Sequence, residues 1–134
     1  MIMNRQKFLP LIARTFLAAI FIHTGIANGI NFAGIQQMIA GAGIPLPFLV
    51  ALGAVIFEIL GGISLILGYK AHVGVILLLI FLIPATLVFH NPIAEPDQTI
   101  QFLKNLGLIG GLLMVMAYGP GPVSLSARAT PGEE

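Results

Sequence analysis

Hydrophobic positions in this chain run in four long blocks rather than in the short alternations of a β-protein. The first block extends from about Phe8 to Ile30, the second from Leu46 to Gly68, the third from His72 to His90 and the fourth from Gln98 to Tyr118. A helix needs about 20 apolar residues to cross the hydrocarbon core of a bilayer, and all four blocks are of that order. Turn formers punctuate them: Asn28-Gly29, Gly41-Ala42-Gly43-Ile44-Pro45, Gly68-Tyr69-Lys70, Asn91-Pro92 and Glu95-Pro96, with Gly119-Pro120-Gly121-Pro122 closing the last. Lipid admits only helices or closed barrels. The blocks lack the alternation and the roughly ten-residue length of barrel strands. The pattern therefore predicts an all-α membrane protein, a bundle of four transmembrane helices forming one membrane domain over 1–134.

Between the first two blocks, Asn31–Gly43 is moderately apolar with Gln36-Gln37 at its centre, too short and too polar to span. It is expected to form a short interfacial helix or re-entrant segment. The stretch 119–134 is expected to be a cytoplasmic tail.

Composition agrees with this reading and narrows it. Hydrophobic residues make up 57% of the chain and charged residues 8%, and the mean hydropathy is +1.01. Soluble domains carry about 25% charged residues, so most of this surface must meet lipid. Net charge is +1 with no basic run, which argues against nucleic acid as a partner. With no cysteine, disulfides, thiolate metal sites and iron–sulfur ligation fall away, and no metal site is expected. Arg5 and Lys7 give a basic start, but Arg14 interrupts the first apolar run and no small-residue cleavage site follows. The run reads as a retained span, not a signal peptide.

The basic residues also orient the bundle. Counting four spans, Arg5, Lys7, Lys70 and Arg128 fall on one side, whereas Glu95 and Asp97 fall on the other. Both termini and the tight turn at 68–71 are thus expected in the cytoplasm.

Ionisable groups inside a span are costly, roughly 2.5–3.5 kcal/mol each on insertion scales, so their positions are informative. Glu58 lies near the middle of the second block, Arg14 in the first, Lys104 beside Asn105 in the fourth, and His90 ends the third. Glu58 is expected to pair with Arg14 or Lys104. At about 100° per residue, Glu58 shares its face with Ala51, Ala54, Gly61 and Gly62; Arg14 with Ala18, Phe21, Gly25 and Asn28; Lys104 with Gln101, Gly107, Gly111 and Tyr118. Small residues let helices approach closely, so Gly25, Gly61, Gly62, Gly107 and Gly111 are expected at helix seams and the polar groups between helices. Arg14, Glu58, His90, Lys104 and Asn105 are the candidate pocket and proton relay. Each has a plainer alternative: a structural ion pair for Glu58, snorkelling for Arg14 and Lys104, and a polar helix cap for His90. A haem held by His23 and His90 is the weaker option, because His23 lies about 180° from Arg14 on the helical wheel. Pro84, inside the third block, should free a backbone carbonyl. No soluble catalytic motif is present.

Phe57-Glu58-Ile59-Leu60-Gly61-Gly62 through Leu67-Gly68, Phe89-His90-Asn91, and Phe102-Leu103-Lys104-Asn105-Leu106 through Gly110-Gly111 to Gly119-Pro120-Gly121-Pro122-Val123-Ser124-Leu125 together resemble the DoxX family of small membrane proteins. Gly25 and Gly43-Ile44-Pro45-Leu46-Pro47 match it as well. Two positions depart from the family pattern: Asn28 stands where a Lys is common, and Ser126 where an Asp is common. The resemblance implies a four-helix inner-membrane bundle, with links in the family to sulfur oxidation feeding the quinone pool and to oxidant responses. It points to a redox-associated subunit that binds a quinone near Glu58, His90, Lys104 and Asn105, with the redox centre on a partner protein. A non-catalytic binding or transport protein for a small solute or lipophile, and a structural scaffold that self-associates as a homo-oligomer, are the alternatives.

Overall fold

The structure is a computed structural model that describes the backbone of residues 2–129 and the side chains of residues 6–127. The side chains of Arg5 and Arg128, used above for orientation, and the end of the expected tail lie outside the described residues. The elements are α1 (Ile2–Ile30), α2 (Phe32–Gly41), α3 (Pro47–Leu67), α4 (Ala71–Phe89), a 3₁₀ turn (Pro96–Gln98), α5 (Thr99–Tyr118) and α6 (Leu125–Ala129). Among the described residues, four segments are long and apolar enough to span: Gln6–Ile30, Pro47–Leu67, Ala71–Phe89 and Pro96–Tyr118. Their bounds fall close to the hydrophobic blocks, apart from the N-terminal extension of α1. The segment expected at the interface is α2, a ten-residue helix.

Local chemistry sets the helix ends. Pro47 opens α3, where its missing N–H would be unpaired anyway. Gly68 closes it with a left-handed φ of 66°, a conformation that glycine adopts without Cβ strain. Ser64 Oγ then donates to the Tyr69 and Lys70 carbonyls at 2.7 and 3.1 Å, holding the tight turn into α4. Pro84 leaves α4 continuous from Ala71 to Phe89.

The helices adjoin in the order α5–α4–α3–α1, with α2 laid against α3 and only slight contact between α1 and α5. Helix α3 is therefore central. Glycines bring its neighbours in: a Cβ on Gly61 would stand 2.5 Å from Leu78 Cγ and 3.0 Å from the Gly74 carbonyl, and one on Gly62 2.6 Å from Ile22 Cγ1. The core lies in the half of the bundle nearer the termini, where Ala18, Phe21, Leu65, Val75, Leu78, Leu82 and Leu112 pack together. Outward residues such as Phe16 and Ile30, 75% and 83% exposed, belong against acyl chains.

Gly61→Ala should lower unfolding stability in detergent by about 1–3 kcal/mol, since both a side chain and a backbone oxygen must retreat. Gly110→Ala, where a Cβ meets nothing within 4 Å, should be neutral or stabilising by up to about 1 kcal/mol through helix propensity. Equal stability of the two variants in a thermal or denaturant titration would refute the close-packed seam.

Candidate functional site

Two polar clusters and a cavity stand out among the described residues of the bundle. At the end nearer the termini, Arg14 is 1% exposed. Its Nη1 donates to the carbonyls of Leu65 at 2.8 Å and Ile66 at 3.4 Å, and its Nη2 donates to the Val123 carbonyl. The Leu65 and Ile66 carbonyls belong to the last turn of α3, which lacks intrahelical donors and carries the negative end of the helix dipole. Arg14 satisfies that end and ties the C-terminal segment to it. Nε finds no hydrogen-bond partner among the described residues. The Ser126 amide donates to the Gly68 carbonyl at 3.1 Å, and the Lys70 amide donates to Ser126 Oγ at 3.2 Å. Residues 119–129 are thus docked against the bundle.

Near the middle of the spans, Glu58 is fully buried. Asn28 Nδ2 donates to its Oε1 at 3.0 Å, and Thr24 Oγ1 bonds its Oε2. Gly25 lies between these two α1 residues, and a Cβ there would press on Ile59 Cγ1 at 2.8 Å and Glu58 Cβ at 3.1 Å. A bare glycine thus lets α3 come close enough for one carboxylate to reach side chains a helical turn apart. Neither Arg14 nor Lys104 pairs with Glu58. The expected ion pair is replaced by bonds to a neutral amide and a hydroxyl. Arg14 is too far along the bundle: Glu58 sits level with Gly25, eleven residues (25 − 14) and about 16 Å beyond Arg14 at 1.5 Å per residue. Lys104 is on α5, diagonal to α3.

The cavity opens in the other half, where α1 and α5 part above the contact between Leu17 and Gly111. Its volume is about 980 Å³, and most of its wall is apolar: Phe21, Phe57, Phe81, Leu82, Leu108 and neighbours, with Ile35, Met38 and Ile39 of α2 at one side. Thr24, Asn28, His90, Gln101, Lys104 and Asn105 supply its polar atoms. Gln101 Nε2 donates to Asn105 Oδ1 at 3.1 Å, Asn105 Nδ2 to Thr86 Oγ1 at 3.0 Å, and Thr86 Oγ1 to the Leu82 carbonyl at 2.7 Å. His90 Nδ1 meets Gln98 Oε1 at 2.8 Å. An amide oxygen only accepts, so this bond assigns the proton to Nδ1. Lys104 has no hydrogen-bond or ion-pair partner among the described residues.

A profile of the DoxX family matches residues 9–91. Inner membrane protein YphA of Escherichia coli (strain K12) is 31% identical over 92% of this chain and 91% of its own length. Inner membrane protein YqjF of the same organism is 30% identical over 86% and 87%. The chain is a member of the DoxX family. No solved structure matches it significantly. With four apolar spans and inner-membrane relatives, this DoxX protein is a multi-pass protein of the inner membrane.

The expected site residues of this DoxX chain separate into groups. His90, Lys104 and Asn105 line the cavity; Glu58 lies behind Thr24 and Asn28; Arg14 is outside it. His23 is exposed and is not in the cavity wall, so it does not join His90. Gly25, Gly61 and Gly62 are at helix contacts and Gly111 meets Leu17, but Gly107 has open space where a Cβ would stand. It belongs to the cavity wall, not to a seam within the chain. Thr24, Gln101 and Thr86 are site residues that sequence reasoning does not single out. Gln101 shares the Lys104 face, and Asn28 both departs from the DoxX pattern and lies on the Arg14 face. Thr24, about 80° away from that face, gave no such signal.

Glu58→Gln should cost under about 1 kcal/mol, because an amide still accepts from Asn28, whereas Glu58→Leu should cost about 1–3 kcal/mol by orphaning the Asn28 donor. Equal melting temperatures for Glu58→Leu and wild type would contradict the clamp.

Proposed function

We propose that this DoxX protein binds a membrane-soluble lipophile in the cavity between α1 and α5, with a quinone as the redox-linked occupant. The observation that supports this is the cavity itself. Its volume of about 980 Å³ stands at the upper end of the roughly 300–1,000 Å³ typical of ligand sites, which likewise combine an apolar wall with a few placed polar groups. The polar wall is rich in unused donors. Each amide NH₂ has two hydrogens, and Asn28, Gln101 and Asn105 each spend one on a protein acceptor. Lys104 adds an ammonium. Quinone carbonyl oxygens accept such bonds, and the apolar wall suits a ring and an isoprenoid tail.

In this reading the chain is a binding subunit of a redox assembly, and a partner protein supplies the electrons. The His90 Nε2 lone pair, left free when Nδ1 carries the proton, is the site's proton acceptor. With the Lys70 turn taken as cytoplasmic by its charge, the cavity belongs to the outer half of the membrane. The ligand reaches it sideways from the bilayer, through the separation of α1 from α5.

Cavity-filling variants test the reading without disturbing packing, because Gly53 and Gly107 both line the cavity and a Cβ at either meets nothing within 4 Å. Gly53→Leu and Gly107→Leu should keep the wild-type melting temperature or raise it. They should also weaken the binding of a short-tailed quinone to the purified protein by about tenfold or more, since the bulk occupies the ligand's own volume. Unchanged affinity in both variants would overturn the assignment of the cavity as the site.

A further inference from the structure

The charge balance of the cavity goes further than its volume. Lys104 is the one Lys or Arg among the residues that line it, and no Asp or Glu lines it. Glu58, the acid closest to its polar wall, is fully buried and turned toward Thr24 and Asn28. Glu95 and Asp97 are exposed in the loop region before α5 and are not in the wall. Lys104 therefore presents an ammonium without a counter-charge beside the unused donors of Gln101 and Asn105. An occupant that brings one negative charge would give this ammonium a charge-assisted partner at the mouth of an apolar cavity.

We infer that the cavity also takes a second class of occupant, a single-chain lipid with a monoanionic carboxylate head, seated on Lys104 with its tail among Phe21, Phe57 and Phe81. This rests on the reading of the cavity as a lipophile site and adds an anionic lipid to the quinone proposed above. One cation with neutral amide donors matches a single negative charge; a phosphate dianion calls for more positive charge than the wall offers. Position agrees as well. Lys104 lies five residues into α5 from Thr99, about 7 Å below that helix end at 1.5 Å per residue. A headgroup there sits just beneath the membrane interface with its tail pointing to the bilayer centre, the orientation that a lipid of that leaflet already has. His90 flanks the same end of the cavity.

The test uses the full-length protein in nanodiscs and three probes: palmitic acid, its methyl ester and a decyl-tailed quinone. The acid should bind the wild type about tenfold more tightly than the ester, the difference being the charge-assisted contact to Lys104. Lys104→Met should reduce that preference to less than about twofold, and Lys104→Arg should retain it. Lys104 is exposed, so neither variant threatens folding, and circular dichroism verifies this. Equal binding of acid and ester by the wild type, or an acid preference that survives Lys104→Met, overturns the carboxylate inference; if the ester or the quinone still binds and Gly53→Leu weakens it, lipophile binding stands. Failure of all three probes to bind would overturn both.

Discussion

A polar group in hydrocarbon must find its partner inside the protein, and that constraint organises this bundle. With no water at that depth, each unsatisfied donor or acceptor costs several kcal/mol. Arg14 meets it by serving carbonyls that the end of α3 leaves open. Glu58 meets it by taking a hydroxyl and an amide from α1. Both solutions depend on glycine. Gly25 lets α3 approach α1, and Gly68 leaves the room that the Arg14 guanidinium and Ser124 occupy. The two most deeply buried charged side chains hold helices together and are not available to a ligand.

What remains available follows from where the helices do not meet. Helices α1, α3 and α4 close tightly around the core nearer the termini, but α5 touches α1 only slightly. Above Leu17 and Gly111 the two part, and the polar side chains facing that gap are bound on one side only. Asn28 is shared between the two regions: one amide hydrogen goes to Glu58, and the residue also lines the cavity. The structural clamp and the binding wall are thereby joined in one side chain, so damage to the clamp should be felt in the cavity.

Much of this was legible in the sequence. Four apolar blocks bounded by Gly, Pro and Asn made the four-helix membrane fold legible, because twenty apolar residues in succession have few other uses. The faces shared by Arg14 with Ala18, Phe21 and Gly25, and by Glu58 with Gly61 and Gly62, point inward, and both side chains are buried. The partners were not legible. Pairing Glu58 with the nearest opposite charge ignores the order of the helices, which puts α5 diagonal to α3 and places Arg14 well along the bundle. Arg14 is satisfied mainly by the backbone of α3, and no side-chain pattern announces a carbonyl. The same blindness made Gly107 a packing residue, since spacing alone does not distinguish a seam from a cavity wall.

The most direct measurement is a high-resolution structure of the protein taken from native membrane into nanodiscs without delipidation. It should show elongated density between α1 and α5, its head within hydrogen-bonding distance of Lys104 or Asn105 and its tail beside Phe57 and Phe81. Glu58 should still be bonded to Thr24 and Asn28. A cavity closed by α1 packing against α5 along their whole length, or a Glu58 carboxylate turned toward that space, would contradict the division between structural clamp and binding site.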